Sequence, residues 1–134
     1  MERFVIRNES DIAIAVVATQ ARARSLGLSC WRVDRLGTAV SELAHNIIKY
    51  AQRSGGDLLL ELDSRNGRRR LTLQARDNGP GITDIEAALQ DHYSTTGTLG
   101  LGLPGVKRMV DDFQILSIPG SGTIVTITME EQGC

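Results

Sequence analysis

Two stretches of strict alternation limit most of what this chain can become. "DLLLELDS" sends Leu58, Leu60 and Leu62 to one side, and "RRLTLQARD" does the same with Leu71, Leu73 and Ala75. Only "RNG", Arg65 to Gly67, lies between them, so the two fold back as an antiparallel hairpin. "FQILSI" and "TIVTITM" repeat the arrangement across the turn "PGSG". A sheet made of hairpins has one apolar side, and the rest of the chain must supply what covers it.

The cover is visible in the sequence. After an opening strand "ERFVIRN" (Glu2 to Asn8), Ser10 and Asp11 are candidate caps for the helix "IAIAVVATQARARSLGL", which Gly27 helps to close. A second helix is predicted from near Asp34 to about Arg53. Its Val33, Leu36, Val40, Leu43, Ile47 and Tyr50 step by three and four, and Ser54, Gly55 and Gly56 end it. A short helical piece near Ile85 to Gln90 and a helix from about Pro104 to Asp112 follow, with Pro104 suited to the first helical position. The order strand–helix–helix–strand–strand–helix–strand–strand predicts an α+β fold. It is a two-layer α/β sandwich with a mostly antiparallel sheet and helices on one face.

A chain of 134 residues that is 41% hydrophobic suits a single domain over 1–134 with its own core. A net charge of −1 argues against a nucleic-acid partner or an anionic membrane. Cys30 and Cys134 have no metal or disulfide spacing, which points to a reducing compartment. No secretion signal and no window of membrane-spanning length is evident, so a cytoplasmic location is expected.

Three polar features resist a purely structural reading. Gly100, Gly102 and Gly105 spell G-x-G-x-x-G, but "DHYSTTGTL" before them is too polar for the buried strand of a dinucleotide fold. No Gly-Lys-Ser/Thr makes a P-loop, and Lys107 stands where a protein-kinase glycine loop needs valine. What remains is a backbone able to approach an anion closely, with Leu99, Leu101 and Leu103 to anchor it, or else a linker.

The second feature is "SELAHNIIKYAQR", where Glu42, Asn46, Lys49 and Arg53 share one helix face at the edge of the core. Alone, that face suits a solvated Glu-to-Lys network; alternatively it offers a base beside a magnesium ligand. The third is "ARDNGPGI". Parity puts Asp77 inward after Leu71, Leu73 and Ala75, and a carboxylate there needs hydrogen-bond donors. Turn chemistry also explains the composition of "DNGPG". Thr123 is inward as well, at the near end of its strand.

Together, E-x-x-x-N on a helix, D-x-G-x-G after a strand and G-x-x-G-x-G before a helix closely resemble the GHKL (Bergerat-fold) ATPase superfamily. "AVSELAHNIIKYA", "DNGPGI" and "HYSTTGTLGLGLPGVKRMVDDF" look most like the RsbT-type switch serine/threonine kinases of bacterial partner-switching (stressosome) modules. The resemblance implies an ATP- and Mg²⁺-dependent kinase with Glu42 as general base and Asn46 as the Mg²⁺ ligand. Asp77 would accept from the adenine amino group with Thr123 nearby. Gly79 and Gly81 would let the chain turn beside the base, next to Ile82. Thr96, Gly97, Gly100, Leu101 and Gly102 would form the phosphate lid. The span Ile82 to Leu99 has no Lys or Arg, so neutralisation would fall to Mg²⁺, backbone amides and Lys49 or Arg53.

The partners implied are STAS-domain antagonist proteins as substrates and a PP2C-type phosphatase activated by contact; a homodimer is compatible with the family. Two alternatives share the same nucleotide residues. One is an RsbW- or SpoIIAB-like anti-sigma factor that sequesters a sigma factor, the other a non-catalytic ATP-binding interaction module. Elsewhere, Arg68, Arg69 and Arg70 read as solvated hairpin residues, His45 as a surface residue, and His92 as lacking a second metal ligand. Trp31 reads as an interior or interface packer.

Overall fold

The computed structural model describes residues 1–51, 54–80 and 102–132. Along the chain run β1 (Glu2–Ile6), α1 (Glu9–Leu26), α2 (Cys30–Tyr50), β2 (Gly56–Arg65) and β3 (Arg68–Asp77). After them come α3 (Gly102–Met109), β4 (Asp112–Ile118) and β5 (Gly122–Gln132). The strands form one sheet in the order β1-β2-β3-β5-β4, with every neighbouring pair antiparallel. Arg53, Gly81, Ile82, the helical piece near Ile85 to Gln90, His92, Thr96, Gly97, Gly100, Leu101 and Cys134 lie outside the described residues.

Register decides which residues meet. Phe4, Leu58, Ala75, Val125 and Ile115 make one row across all five strands, and Leu60, Leu73, Ile127 and Phe113 make the next. These rows face α1 and α2, whose Ile12, Ala15, Val33, Leu36, Val40, Leu43 and Ile47 complete the core. The turn predicted at "RNG" is a two-residue hairpin between paired Arg65 and Arg68, with Asn66 and Gly67 at φ of 54° and 78°. Positive φ at both positions matches the twist of the flanking strands. Leu62 keeps the expected parity but is exposed, at the free end of that hairpin.

Local details differ from the sequence reading. The cap of α1 is Asn8: its side chain accepts from the Asp11 N–H at 3.0 Å, and the Asp11 carboxylate accepts from the Asn8 N–H at 3.3 Å. Asp11 is thus the reciprocal partner of a capping box, and Ser10 lies within the first turn. Helix α2 begins at Cys30 and not near Asp34. The Ser29 N–H at its start is satisfied from far away in sequence, by the Glu131 carboxylate at 3.2 Å. Gly102, at φ 53°, starts α3, which puts Pro104 inside the first turn and not at its head.

Trp31 is not interior: it is 49% exposed, with the Arg32 and Arg35 guanidiniums 4.1 and 5.0 Å from its ring centre. Tyr50 likewise stands exposed at the end of the α2 stripe. The three hairpin arginines are tied down by groups distant in sequence. Arg68 Nε is 2.6 Å from Glu130, Arg70 Nη2 is 3.3 Å from the same carboxylate, and Arg69 Nη1 donates to the Gly27 carbonyl at 2.7 Å.

The face opposite α1 and α2 carries a polar knot. Asp57 is buried beneath Arg3 and Arg76, whose Nε atoms lie 2.6 and 2.9 Å from its oxygens. The hydrogen bond from Arg76 outweighs the cost of burial and holds the Asp57 carboxyl below its ordinary value, with Arg3 adding to the effect. A depressed carboxyl stabilises the fold above its unfolded-state value, and that contribution is lost as pH falls through the folded-state one.

Candidate functional site

The site is built on the last polar row of the sheet. Ile6, Gly56, Asp77, Thr123 and Ser117 lie opposite one another in succession across β1, β2, β3, β5 and β4. The parity argument for Asp77 holds, since it follows Leu71, Leu73 and Ala75 on the side that faces the helices. Its Oδ1 accepts the Gly79 N–H at 2.9 Å, and the Thr123 N–H also donates to the carboxylate. Burial nevertheless dominates and pushes the Asp77 carboxyl above its ordinary 3.8. A carboxylate held this way is short of donors, and an incoming amino group would supply one.

Three close approaches hold Asp77 in place. A Cβ at Gly79 would come within 2.9 Å of the Tyr50 carbonyl and 3.1 Å of Ala51 Cβ, so the turn after β3 is pressed onto the end of α2. The Gly120 N–H donates to the Pro80 carbonyl at 2.7 Å, tying the β4–β5 turn to the same loop. Gly122 has φ 127°, and a Cβ there would fall on the Asp77 carbonyl. Both conditions demand glycine. Gly122→Ala is expected to cost about 3 kcal/mol of stability, seen as a Tm lower by about 10 °C. An unchanged Tm would show that β5 can start elsewhere without loss.

Helix α2 carries the second group. Glu42, Asn46 and Lys49 are half-buried on one face, flanking fully buried Ala39 and Leu43. Because Gly79 touches the C-terminal end of this helix, axial distance can be counted from Asp77 outward. Asn46 lies ~7 Å back along the axis from Ala51, and Glu42 another ~6 Å beyond it. The order is therefore acid, carboxamide, second acid, spread along one edge. Lys49 Nζ sits 5.0 Å from the Tyr50 ring, and His45 Nδ1 bonds the Ser41 carbonyl at 2.7 Å on the exposed side.

The donor chemistry suits magnesium. Among the described residues no three acids, histidines or cysteines gather as a metal cage. One carboxamide oxygen, with a carboxylate a turn away, is the sparse hard-oxygen set that Mg²⁺ combines with phosphate and water. A hollow of about 510 Å³ opens at this end of the sheet, where Gly56, Asp77, Gly122 and Thr123 line it together with outward residues such as Arg3, Val5, Arg76, Leu116 and Ile124.

Two residues at this end of the sheet, Gly122 and Ser117, escaped the sequence reading. Gly122 was visible only as part of "PGSG", and Ser117 only as the end of "FQILSI". Their importance follows from cross-strand register, which no local pattern reveals.

A two-layer domain with an antiparallel sheet, helices on one face and this arrangement of polar residues defines a class. Residues 7–129 match the family described as the histidine kinase-like ATPase domain, and the chain belongs to that family. The resemblance drawn from the three boxes is thereby borne out, as is the α+β sandwich. At closer range the chain is similar to the serine/threonine-protein kinase RsbT of Bacillus subtilis (strain 168), 42% identical over 88% of this chain and 87% of that one. It is also similar to the anti-sigma F factor of Thermoanaerobacter sp. (strain X514), 32% identical over 96% and 91% of the two chains. Among solved structures, the mycobacterial sensor histidine kinase MprB aligns over 99% of both chains with a TM-score of 0.55 and 20% identity. The catalytic domain of histidine kinase ThkA aligns with a TM-score of 0.53 and 16% identity, over 96% of this chain and 95% of its own. At such identities the two structures speak for the fold alone. Among the described residues no helix is long and apolar enough to cross a membrane.

Proposed function

We propose that residues 1–134 act as one cytoplasmic, Mg²⁺- and ATP-dependent protein serine/threonine kinase of a partner-switching module. The observation that carries the reading is the half-buried Asp77 carboxylate, its carboxyl raised by desolvation despite the N–H bonds from Gly79 and Thr123, at one end of a helix edge that continues to Asn46 and Glu42. Asp77 accepts from the adenine amino group, beside Thr123. Asn46 would hold Mg²⁺, which would supply charge neutralisation for the triphosphate. Gly79, Gly81 and Ile82 shape the wall beside the base. Thr96, Gly97, Gly100, Leu101 and Gly102 bring backbone amides to the phosphates, assisted by Lys49.

Glu42 then accepts the proton of a substrate serine or threonine hydroxyl. The oxygen attacks the γ-phosphorus, the bond to the β-phosphate oxygen breaks, and ADP leaves. The likeness to RsbT supports a STAS-domain antagonist as substrate and a PP2C-type phosphatase as the partner engaged once the kinase is released. The anti-sigma F relatives support a second reading, in which the same ATP site serves a domain that sequesters a sigma factor, as a homodimer.

Incubation with γ-labelled ATP, Mg²⁺ and STAS-domain proteins from the same genome is expected to label one of them on serine or threonine. Absence of ATP binding at millimolar nucleotide would overturn the whole reading. ATP binding without transfer, accompanied by capture of a sigma factor, would decide for the second reading.

A further inference from the structure

Beside the row that holds Asp77 runs another that faces away from α1 and α2. Val5, Asp57, Arg76, Ile124 and Leu116 lie opposite one another in succession across β1, β2, β3, β5 and β4. Adjacent strands stand about 4.8 Å apart, so this row measures roughly 19 Å from edge to edge. All five residues line the hollow of about 510 Å³, and its two sides differ in chemistry.

On the side of β4 and β5 the surface is apolar. Leu116 and Ile118 are 59% and 55% exposed, and half-buried Ile124 pairs with Leu116. On the side of β1 to β3 it is cationic, with Arg3, Arg7 and Arg76 in the wall. Buried Asp57 takes one N–H from Arg3 and two from Arg76. A guanidinium carries five N–H donors, so both arginines keep donors for a further acceptor while Asp57 holds their planes in place. Among the described residues no carboxylate pairs with the Arg7 side chain. The other acid of the hollow, Asp77, already accepts from the Gly79 and Thr123 N–H groups. Three arginines against two acids leave a positive surplus.

Large exposed apolar side chains next to arginines have the composition of a protein interface. A second copy of this chain is a poor occupant. A two-fold axis would set arginines against arginines, or against isoleucine and leucine, and either arrangement desolvates charge without pairing it. We propose that this face docks a different protein, one whose surface sets apolar side chains on Ile124, Leu116 and Ile118 and carboxylates on Arg3, Arg7 and Arg76, roughly 10 to 20 Å away. Glu42 and Asn46 do not line the hollow, and the inference stands apart from the nucleotide reading.

Backbone-amide NMR of the full chain, titrated with two synthetic peptides, tests it. One peptide has a leucine-rich half and a glutamate-rich half; the other carries lysine in place of glutamate. The first is expected to shift the amides of Arg7, Arg76, Ile118 and Ile124 at or below millimolar concentration, and the second to bind at least about tenfold more weakly. Arg7→Glu and Leu116→Ser, both at exposed positions, are each expected to weaken the first peptide about three- to tenfold while amides of the helix layer keep their parental shifts. Equal shifts with the two peptides, or none with either, would overturn the proposal. Parental affinity in either variant would do the same. Amides of this face that move with protein concentration alone would give it to a second copy, against the proposal.

Discussion

Glu42→Ala is expected to reduce phosphotransfer by roughly 10²- to 10⁴-fold while ATP affinity stays within about twofold of the parent, the signature of a lost general base. The asymmetry follows from position. Glu42 is the member of the helix edge farthest from Asp77, about 13 Å along α2 from the end that touches Gly79. On the proposed reading, a purine held at Asp77 would not meet it, whereas the transferring end of an extended nucleotide lying along that edge would. Glu42 is half-buried on a helix whose opposite side fills the core, so truncation removes little packing. Initial rates with a saturating protein substrate and a separate ATP titration make the distinction. Glu42→Gln, which keeps shape but not basicity, should resemble the alanine variant in rate. Transfer at the parental rate in both variants would remove Glu42 from the mechanism. A matched fall in rate and in ATP affinity would recast it as a binding residue.

What the sequence disclosed and what it hid divide along a physical line. The hairpins, the sheet face and the inward parity of Asp77 and Thr123 were legible because alternation is a local signal. A one-residue error in register would have turned every leucine outward. The stripe of α2 was legible for the same reason, with Leu36, Leu43 and Ile47 all buried as expected. Hidden were features set by partners far away in the chain. Helix α2 starts four residues earlier than its composition suggests, because Glu131 supplies the acceptor for Ser29. Arg68 to Arg70 look like an idle basic run until Glu130 and Glu131 of β5 are placed beside them. Trp31 has the bulk of a core residue, yet it ends up outside, sandwiched against arginines of its own helix. In the site, the acid was readable and the serine behind it was not. Ser117 reaches Thr123 only through the strand order β3-β5-β4, which brings the ends of β3 and β4 to either side of Thr123.

Asp77→Asn is expected to weaken ATP binding about 10- to 100-fold and, at the same time, to stabilise the protein without nucleotide. Both effects come from the same burial. The ordinary carboxyl value is 3.8, and the folded protein raises it because desolvation outweighs the N–H bonds from Gly79 and Thr123. The sign follows directly. A folded-state value above the unfolded-state one means the native protein holds the proton more tightly. Stability from this group is therefore greatest below the unfolded-state value and declines as pH rises to the folded-state value. Above that it remains as a constant penalty. Asparagine keeps an oxygen for the Gly79 N–H but carries no charge to desolvate, so the penalty disappears. The Tm of Asp77→Asn should exceed that of the parent at pH 7 and converge with it near pH 4. For ATP the exchange is adverse: the amide replaces an ionised acceptor with a weaker one and turns an N–H donor toward a donor on the base. Saturating Mg²⁺-ATP should accordingly raise the parental Tm and leave that of the variant nearly unmoved. A variant that is less stable at every pH and still binds ATP at parental strength would mean that Asp77 is a structural turn residue, with the purine, if any, held elsewhere.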